Sequence, residues 1–318
     1  MFSVTAITED GFDKILLTDA ATGTIAAIIP SCGAILHGFS VAHQGRSLNV
    51  IDHYTDAGDF KNNITSKGFK GCKLSPFVCR LRNGGYSFGS SSYKIQKFYL
   101  GSHALHGLIY DAAFVVTTQQ SNETCASVTM KYEYRKEDPG FPFDLDCIIS
   151  YELHKENQLR IITTVINKGD TALPLSDGWH PYFSFGGKID DLQLQFKSKA
   201  MLVFDDELLP TGELLPYHEF ETLKVLGDKA FDNCFTLDPD RDQPLCVIRD
   251  ARQKIQIEIR PDENYPYLQI YTPPHRQSIA IENLSAAPDA FNNGMGLMRL
   301  DPGADASFST SYTIRSLE

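Results

Sequence analysis

No stretch of this chain reads as a leader or a membrane span. The opening residues, MFSVTAITEDGFDKILLTD, have neither a basic start nor a long apolar core, and no run approaches eighteen apolar residues. Cysteine is too scattered for a disulfide or zinc framework: the seven, at 32, 72, 79, 125, 147, 234 and 246, are odd in number and none stands at CxxC spacing. They are expected to be free thiols, and the chain to be cytoplasmic. Positive charge is short, with 29 Lys and Arg against 40 Asp and Glu and a formal net charge of -11. That balance disfavours nucleic acid and anionic membrane as partners, although a small anion can still find a locally positive pocket. HExxH is absent, and the HxxH formed by His103 and His106 lies in the loop-like GSHALHG without a Cys beside it, so no metal is required. Nothing marks a linker, so residues 1–318 are expected to form a single domain.

What the chain has in quantity is alternation. VTMKYEYR (128–135), LQLQFKS (192–198), KIQIEIR (254–260) and SFSTSYTI (307–314) repeat with period two, and KILLTD, TIAAIIP and LRIITTVIN add further strand candidates. ATG, RNGG, NKGD, DPDRD (238–242) and PDEN break them up. Many short strands between turns predict an antiparallel all-β architecture. Residues 51–70 are polar and irregular, a long loop with at most a helical turn.

Five places carry candidate chemistry. In DGWHPYF (177–183) the single Trp of the chain precedes His180, and Pro181 follows it. Such an imidazole is either a core histidine held by a carbonyl or an acid or base with restricted geometry, and Trp179 offers a face to a sugar ring. In SPFVCRLRNGGYSF, Arg80 and Arg82 would share a face if the strand ran on, and Arg80 has apolar neighbours. Either it is an exposed Arg or it binds hydroxyls or an anion. Asp232, in KAFDNCFTL, is a turn residue or a carboxylate accepting hydroxyls among aromatics. Glu282 ends the apolar run SIAIE and is either a surface residue at a strand end or a buried carboxylate, whose pKa should then rise by desolvation, as a general base working near neutrality needs. His106 belongs to LHG, a segment that also occurs at 36–38.

Together these motifs resemble the aldose 1-epimerase family, the mutarotases. The resemblance spans the whole chain and rests on LHGLIYDAAF (105–114), DPGFPFDLDCIISYEL (138–153), GWHPYF (178–183), the Asp of FDNCFTL, IAIENLSAAPDAFNNG (279–294) and the PG of RLDPGADASF. It implies a large antiparallel β-sandwich of the supersandwich, galactose mutarotase-like type, and interconversion of the α and β anomers of an aldohexose. It implies Glu282 as general base, His180 as general acid, His106 as a sugar-holding group assisting at the ring oxygen, and Asp232 and Arg80 as substrate contacts. No cofactor is implied; the expected partner is a monosaccharide, and the chain a monomer or homodimer. Cys79 and Leu108 stand where galactose-type members usually have Asn and a second Gly, and GWHPYF is similar to the divergent bacterial-type branch, some of whose members act on hexose 6-phosphates. Arg80, Arg82, Lys73 and Arg276 are the candidate phosphate ligands if they converge. Two other readings remain: a glycoside hydrolase using Asp232 and Glu282, and a sugar-binding module without turnover.

Overall fold

The computed structural model describes residues 1–238 and 243–317; of the turn expected at 238–242, all but Asp238 lies outside the described residues. Its strands form where one face of an alternating segment meets apolar neighbours. In Asp144–His154, for instance, Leu145, Cys147, Ile149, Tyr151 and Leu153 are buried, and in Asp305–Ser316 so are Ala306, Phe308, Thr310, Tyr312 and Ile314. Both strands belong to a nine-stranded antiparallel sheet. Against it lies an eight-stranded sheet that runs from the edge strand Pro210–Pro216 through Ser198–Phe204, Asp232–Leu237, Tyr267–Tyr271, Ile279–Leu284 and Gly178–His180 to Cys72–Leu74, with Tyr182–Phe183 also paired to Ile279–Leu284.

Rings from the two sheets interlock, Phe183 with Tyr312 at 5.3 Å and Tyr151 with Trp179 at 6.1 Å between centroids. The first 49 residues make a separate five-stranded antiparallel sheet, tied to the nine-stranded one where Tyr151 donates to the Ala34 carbonyl at 2.8 Å. Among the described residues no helix is long and apolar enough to cross a membrane. Residues 51–70 hold one short helix, Ala57–Asn63, started by the Asp56 side chain accepting from the Asp59 amide.

Two local expectations change. Residues 80–82 do not run on as one strand: it covers only Arg80–Leu81, and the chain then turns through Arg82–Gly84, where Asn83 has φ 52°. RNGG therefore joins two separate small sheets rather than closing a hairpin, and Arg80 and Arg82 diverge. Glu282, expected at a strand end, stands inside Ile279–Leu284.

That strand has an apolar face and a face turned outward. Ile279 and Ile281 point into the core between the sheets, each burial contributing ~1.5–3 kcal/mol. Period two then turns Ala280, Glu282 and Leu284 to the other side, away from the nine-stranded sheet.

Candidate active site

Cross-strand register assembles a polar face on that outer side. Glu282 pairs with Gln269, and Gln269 with Cys234; one rung along, Ala280 pairs with both Tyr182 and Tyr271, and Tyr271 with Asp232. Of these, Tyr182, Asp232, Gln269, Tyr271 and Glu282 line a cleft of about 600 Å³. Gly178–His180 adds His180 from the next strand, with its ring stacked on Tyr182 at 5.1 Å. Arg80 enters from its two-residue strand.

His106 is delivered by backbone geometry. It has φ 62° and Gly107 φ 78°, so the chain turns sharply; the His106 amide donates to the Cys79 carbonyl and the Leu108 amide to the Ser75 carbonyl, each at 2.8 Å. Only glycine fits after it, because a Cβ on Gly107 would lie 2.3 Å from the Ser75 oxygen. The turn presents the His106 ring edge-on to His180, with centroids 4.9 Å apart, and against Phe69.

The centre of the site is the approach of His180 Nε2 to Glu282 Oε1, at 3.4 Å, with both residues at most 5% exposed. Glu282 Oε2, Gln269 Oε1 and His106 Nδ1 are buried without a hydrogen-bond partner among the described residues. Unpaired polar atoms of this kind are costly unless a ligand completes them. Asp232 accepts from Gln269 Nε2 at 2.9 Å.

Burial dominates the electrostatics. It raises the Glu282 carboxyl well above its ordinary value; the negative charge of Asp232 adds to the rise, and Arg80 opposes it. It raises Asp232 in the same direction, against Arg80 and the Gln269 hydrogen bond. It lowers His180 to about 4 and takes His106 well below the usual imidazole value, where His180 and Arg80 lower it further. The cleft therefore favours uncharged forms of its acid–base groups while offering donors and acceptors side by side.

The structure thus brings Arg80, His106, His180, Asp232 and Glu282 together. It does not bring Trp179 to them: the indole points to the opposite face from His180, into the core beside Tyr151. The aromatic side chains that line the cleft are Phe69, Phe98, Tyr182, Phe204 and Tyr271. Gln269, with Tyr271, was not among the expected site residues; the signal was a polar residue inside the apolar strand YLQIY, the same cue that marks Glu282.

Of the four candidate phosphate ligands, only Arg80 lines the cleft. Lys73 is fully buried behind the sheet with Asp177. Arg82 turns to Asp205 and Glu207, and Arg276 is held by Asp190 and the Gly227 carbonyl. The cleft lysines Lys67 and Lys70 are each paired, with Asp59 and Asp52. His103 leaves His106 to accept from the Asn83 amide, and the second LHG histidine, His37, is bonded to the Tyr54 carbonyl. Among the described residues no group of three or more His, Cys, Asp or Glu is arranged to hold a metal ion.

Comparison with known proteins bears on the family and the fold. The sequence model of the family described as "Aldose 1-epimerase" matches residues 13–313. A maltose epimerase of Levilactobacillus brevis is 25% identical over 81% of this chain and 79% of its own length. An aldose 1-epimerase of Streptococcus thermophilus is 25% identical over 88% of each. Among solved structures, a galactose mutarotase-like protein from Clostridium acetobutylicum superposes with a TM-score of 0.87 at 20% identity, covering 99% of both chains. Its likeness shows that the two large sheets make a galactose mutarotase-like β-sandwich.

Proposed function

The chain belongs to the aldose 1-epimerase family, and from that membership and the cleft's geometry we propose that it interconverts the α and β anomers of a neutral aldohexose. The observation that carries the proposal is the pair of Glu282 and His180, 3.4 Å apart at the floor of the cleft. Anomerisation needs one proton removed from the O1 hydroxyl and one delivered to the ring oxygen O5. Both oxygens are bonded to C1, so acceptor and donor must stand side by side.

Glu282 takes the O1 proton, His180 gives one to O5, and the C1–O5 bond opens to the free aldehyde. Rotation about C1–C2 presents the other carbonyl face. The protonated Glu282 then returns its proton to O1 while His180 recovers one from the O5 hydroxyl, and the ring closes as the other anomer. The enzyme passes from an ion pair to a neutral pair and back. Burial favours the neutral pair, the state that accompanies the open chain; the ion pair that starts the step is held by Arg80, which opposes the rise at Glu282, and by the hydroxyls of the bound sugar. General acid–base help of ~10²–10⁴-fold per group suits a reaction that water already performs slowly. Asp232 and Gln269 grip hydroxyls, Arg80 donates to them, and His106 holds the sugar near O5.

Two features favour a neutral sugar over a 6-phosphate: Arg80 is the one cleft cation of the four candidates, and Lys67 and Lys70 are already neutralised by carboxylates. A module that only bound sugar would keep a buried, half-satisfied carboxylate at a cost and without use. Polarimetry on freshly dissolved α-glucose, α-galactose and glucose 6-phosphate tests the reading. Acceleration with a neutral hexose supports it; acceleration with the phosphate alone replaces the substrate; no acceleration with any aldose refutes the function.

A further inference from the structure

Behind the cleft, on the core side of the eight-stranded sheet, lies an ion pair that takes no part in the proton transfers. The Lys73 ammonium donates to Asp177 Oδ1, and both side chains are fully buried. Lys73 also donates to the Gly178 carbonyl at 3.1 Å and sits over the Trp179 ring, 4.6 Å from its centroid. Tyr265 donates its hydroxyl to the same carboxylate oxygen at 2.7 Å.

The segments that carry His180, His106, Glu282 and Gln269 all meet at this pair. Lys73 stands opposite Trp179 in the ladder that sets Cys72 opposite His180. Beyond Leu74 the same segment reaches Ser75, whose carbonyl accepts from Leu108 and which bridges Gly107, fixing the His106 turn. The Asp177 amide donates to Ser285 Oγ and the Ser285 amide to the Asp177 carbonyl, each at 2.8 Å, on the segment that continues from Glu282. Tyr265 leads into the strand that carries Gln269.

A fully buried ion pair is a weak source of stability, because removing both charges from water offsets most of their attraction. What it supplies is direction: charge-assisted hydrogen bonds hold their partners at set angles. Acid–base groups need such support, since a displacement of ~1 Å costs on the order of 10²-fold in rate. We infer that Lys73 and Asp177 are positioning residues, locking from the far side of the sheet the relative placement of His180, His106 and Glu282. Trp179 has its place here as well, filling the space under the ammonium rather than facing the sugar. The inference rests on the mutarotase reading for its kinetic consequence and on geometry alone for its structural one.

The test is the double variant Lys73→Met with Asp177→Leu, which leaves no buried charge. The expected result separates stability from catalysis: a thermal midpoint at or above wild type, kcat for aldose anomerisation lower by roughly tenfold or more, and KM within about threefold. Tyr265→Phe, which keeps the pair and removes one donor, should lower kcat by a smaller factor with KM unchanged. Proton–nitrogen spectra of protein carrying isotope-labelled histidine add a readout that needs no turnover: the His106 and His180 imidazole signals should shift or broaden while that of His37 stays. A double variant with wild-type kcat and unmoved imidazole signals overturns the inference. So does one that cannot fold, since the pair would then serve the fold itself. If the wild type turns over no aldose, the mutarotase reading fails, and the imidazole signals alone decide the positioning role.

Discussion

Replacing Glu282 by Gln should make the protein more stable and less active, and the gain in stability should depend on pH. The carboxyl is 2% exposed, its Oε2 has no hydrogen-bond partner among the described residues, and burial raises its pKa well above the ordinary value. A carboxyl whose folded pKa is raised binds its proton more tightly in the native state than in the unfolded one. Stability is then greatest below the unfolded pKa, near 4.3, and falls as pH rises until the folded pKa is passed. Within that window each pH unit costs ~1.4 kcal/mol. His180 and His106, with lowered pKa values, act in the opposite sense and only below about 6.5, so the wild-type curve alone is a mixture. The difference between E282Q and wild type isolates the carboxyl. Thermal unfolding followed by circular dichroism should show little difference at pH 4.5 and a growing advantage for E282Q by pH 7, at ~2 °C per kcal/mol in a chain of this size. Equal midpoints at every pH, or a variant that loses stability as pH rises, would refute the idea that Glu282 is held in a costly environment for catalysis.

Other substitutions separate grip from chemistry. His180→Asn should lower kcat by ~10²–10⁴-fold in a polarimetric assay with little change in KM, since it removes the proton donor to O5. Asp232→Asn should mainly raise KM, by ~10-fold or more, through loss of charge-assisted hydrogen bonds to hydroxyls; a selective fall in kcat would instead move Asp232 into the acid–base chemistry. Gly107→Ala should destabilise the fold by ~2 kcal/mol or more and displace His106, because the added carbon meets the Ser75 oxygen at 2.3 Å on a φ of 78°. Denaturant titration and a crystal structure of that variant check both effects.

The alternation of 128–135 and 307–314 was legible because one face of each strand, Cys125–Arg135 and Asp305–Ser316, meets the core, and a buried face imposes period two on the sequence. Glu282 read as either a surface residue at a strand end or a buried carboxylate; what encloses it is the strand running on to Leu284, buried along its whole length. Trp179 shows the limit of reading residue types without their phase. Adjacent strand residues face opposite ways, so the indole and the His180 imidazole could not both meet a sugar. The divergence of Arg80 and Arg82 depended on where the strand stopped, set by a turn at Asn83 that also fits a hairpin. Lys73 was unreadable as a buried cation. Its partner lies 104 residues away, and a lysine in an apolar run equally describes one whose ammonium reaches water.

Anomer exchange at equilibrium is the most direct test of the central claim, that Glu282 and His180 together open and close a sugar ring. Magnetisation transfer between the α and β H1 signals of an equilibrated aldose measures that exchange without a coupling enzyme. The account predicts rapid transfer with wild type, and transfer near the uncatalysed rate with Glu282→Gln although the variant is folded and still binds the sugar. Wild-type transfer in the folded E282Q variant would contradict it.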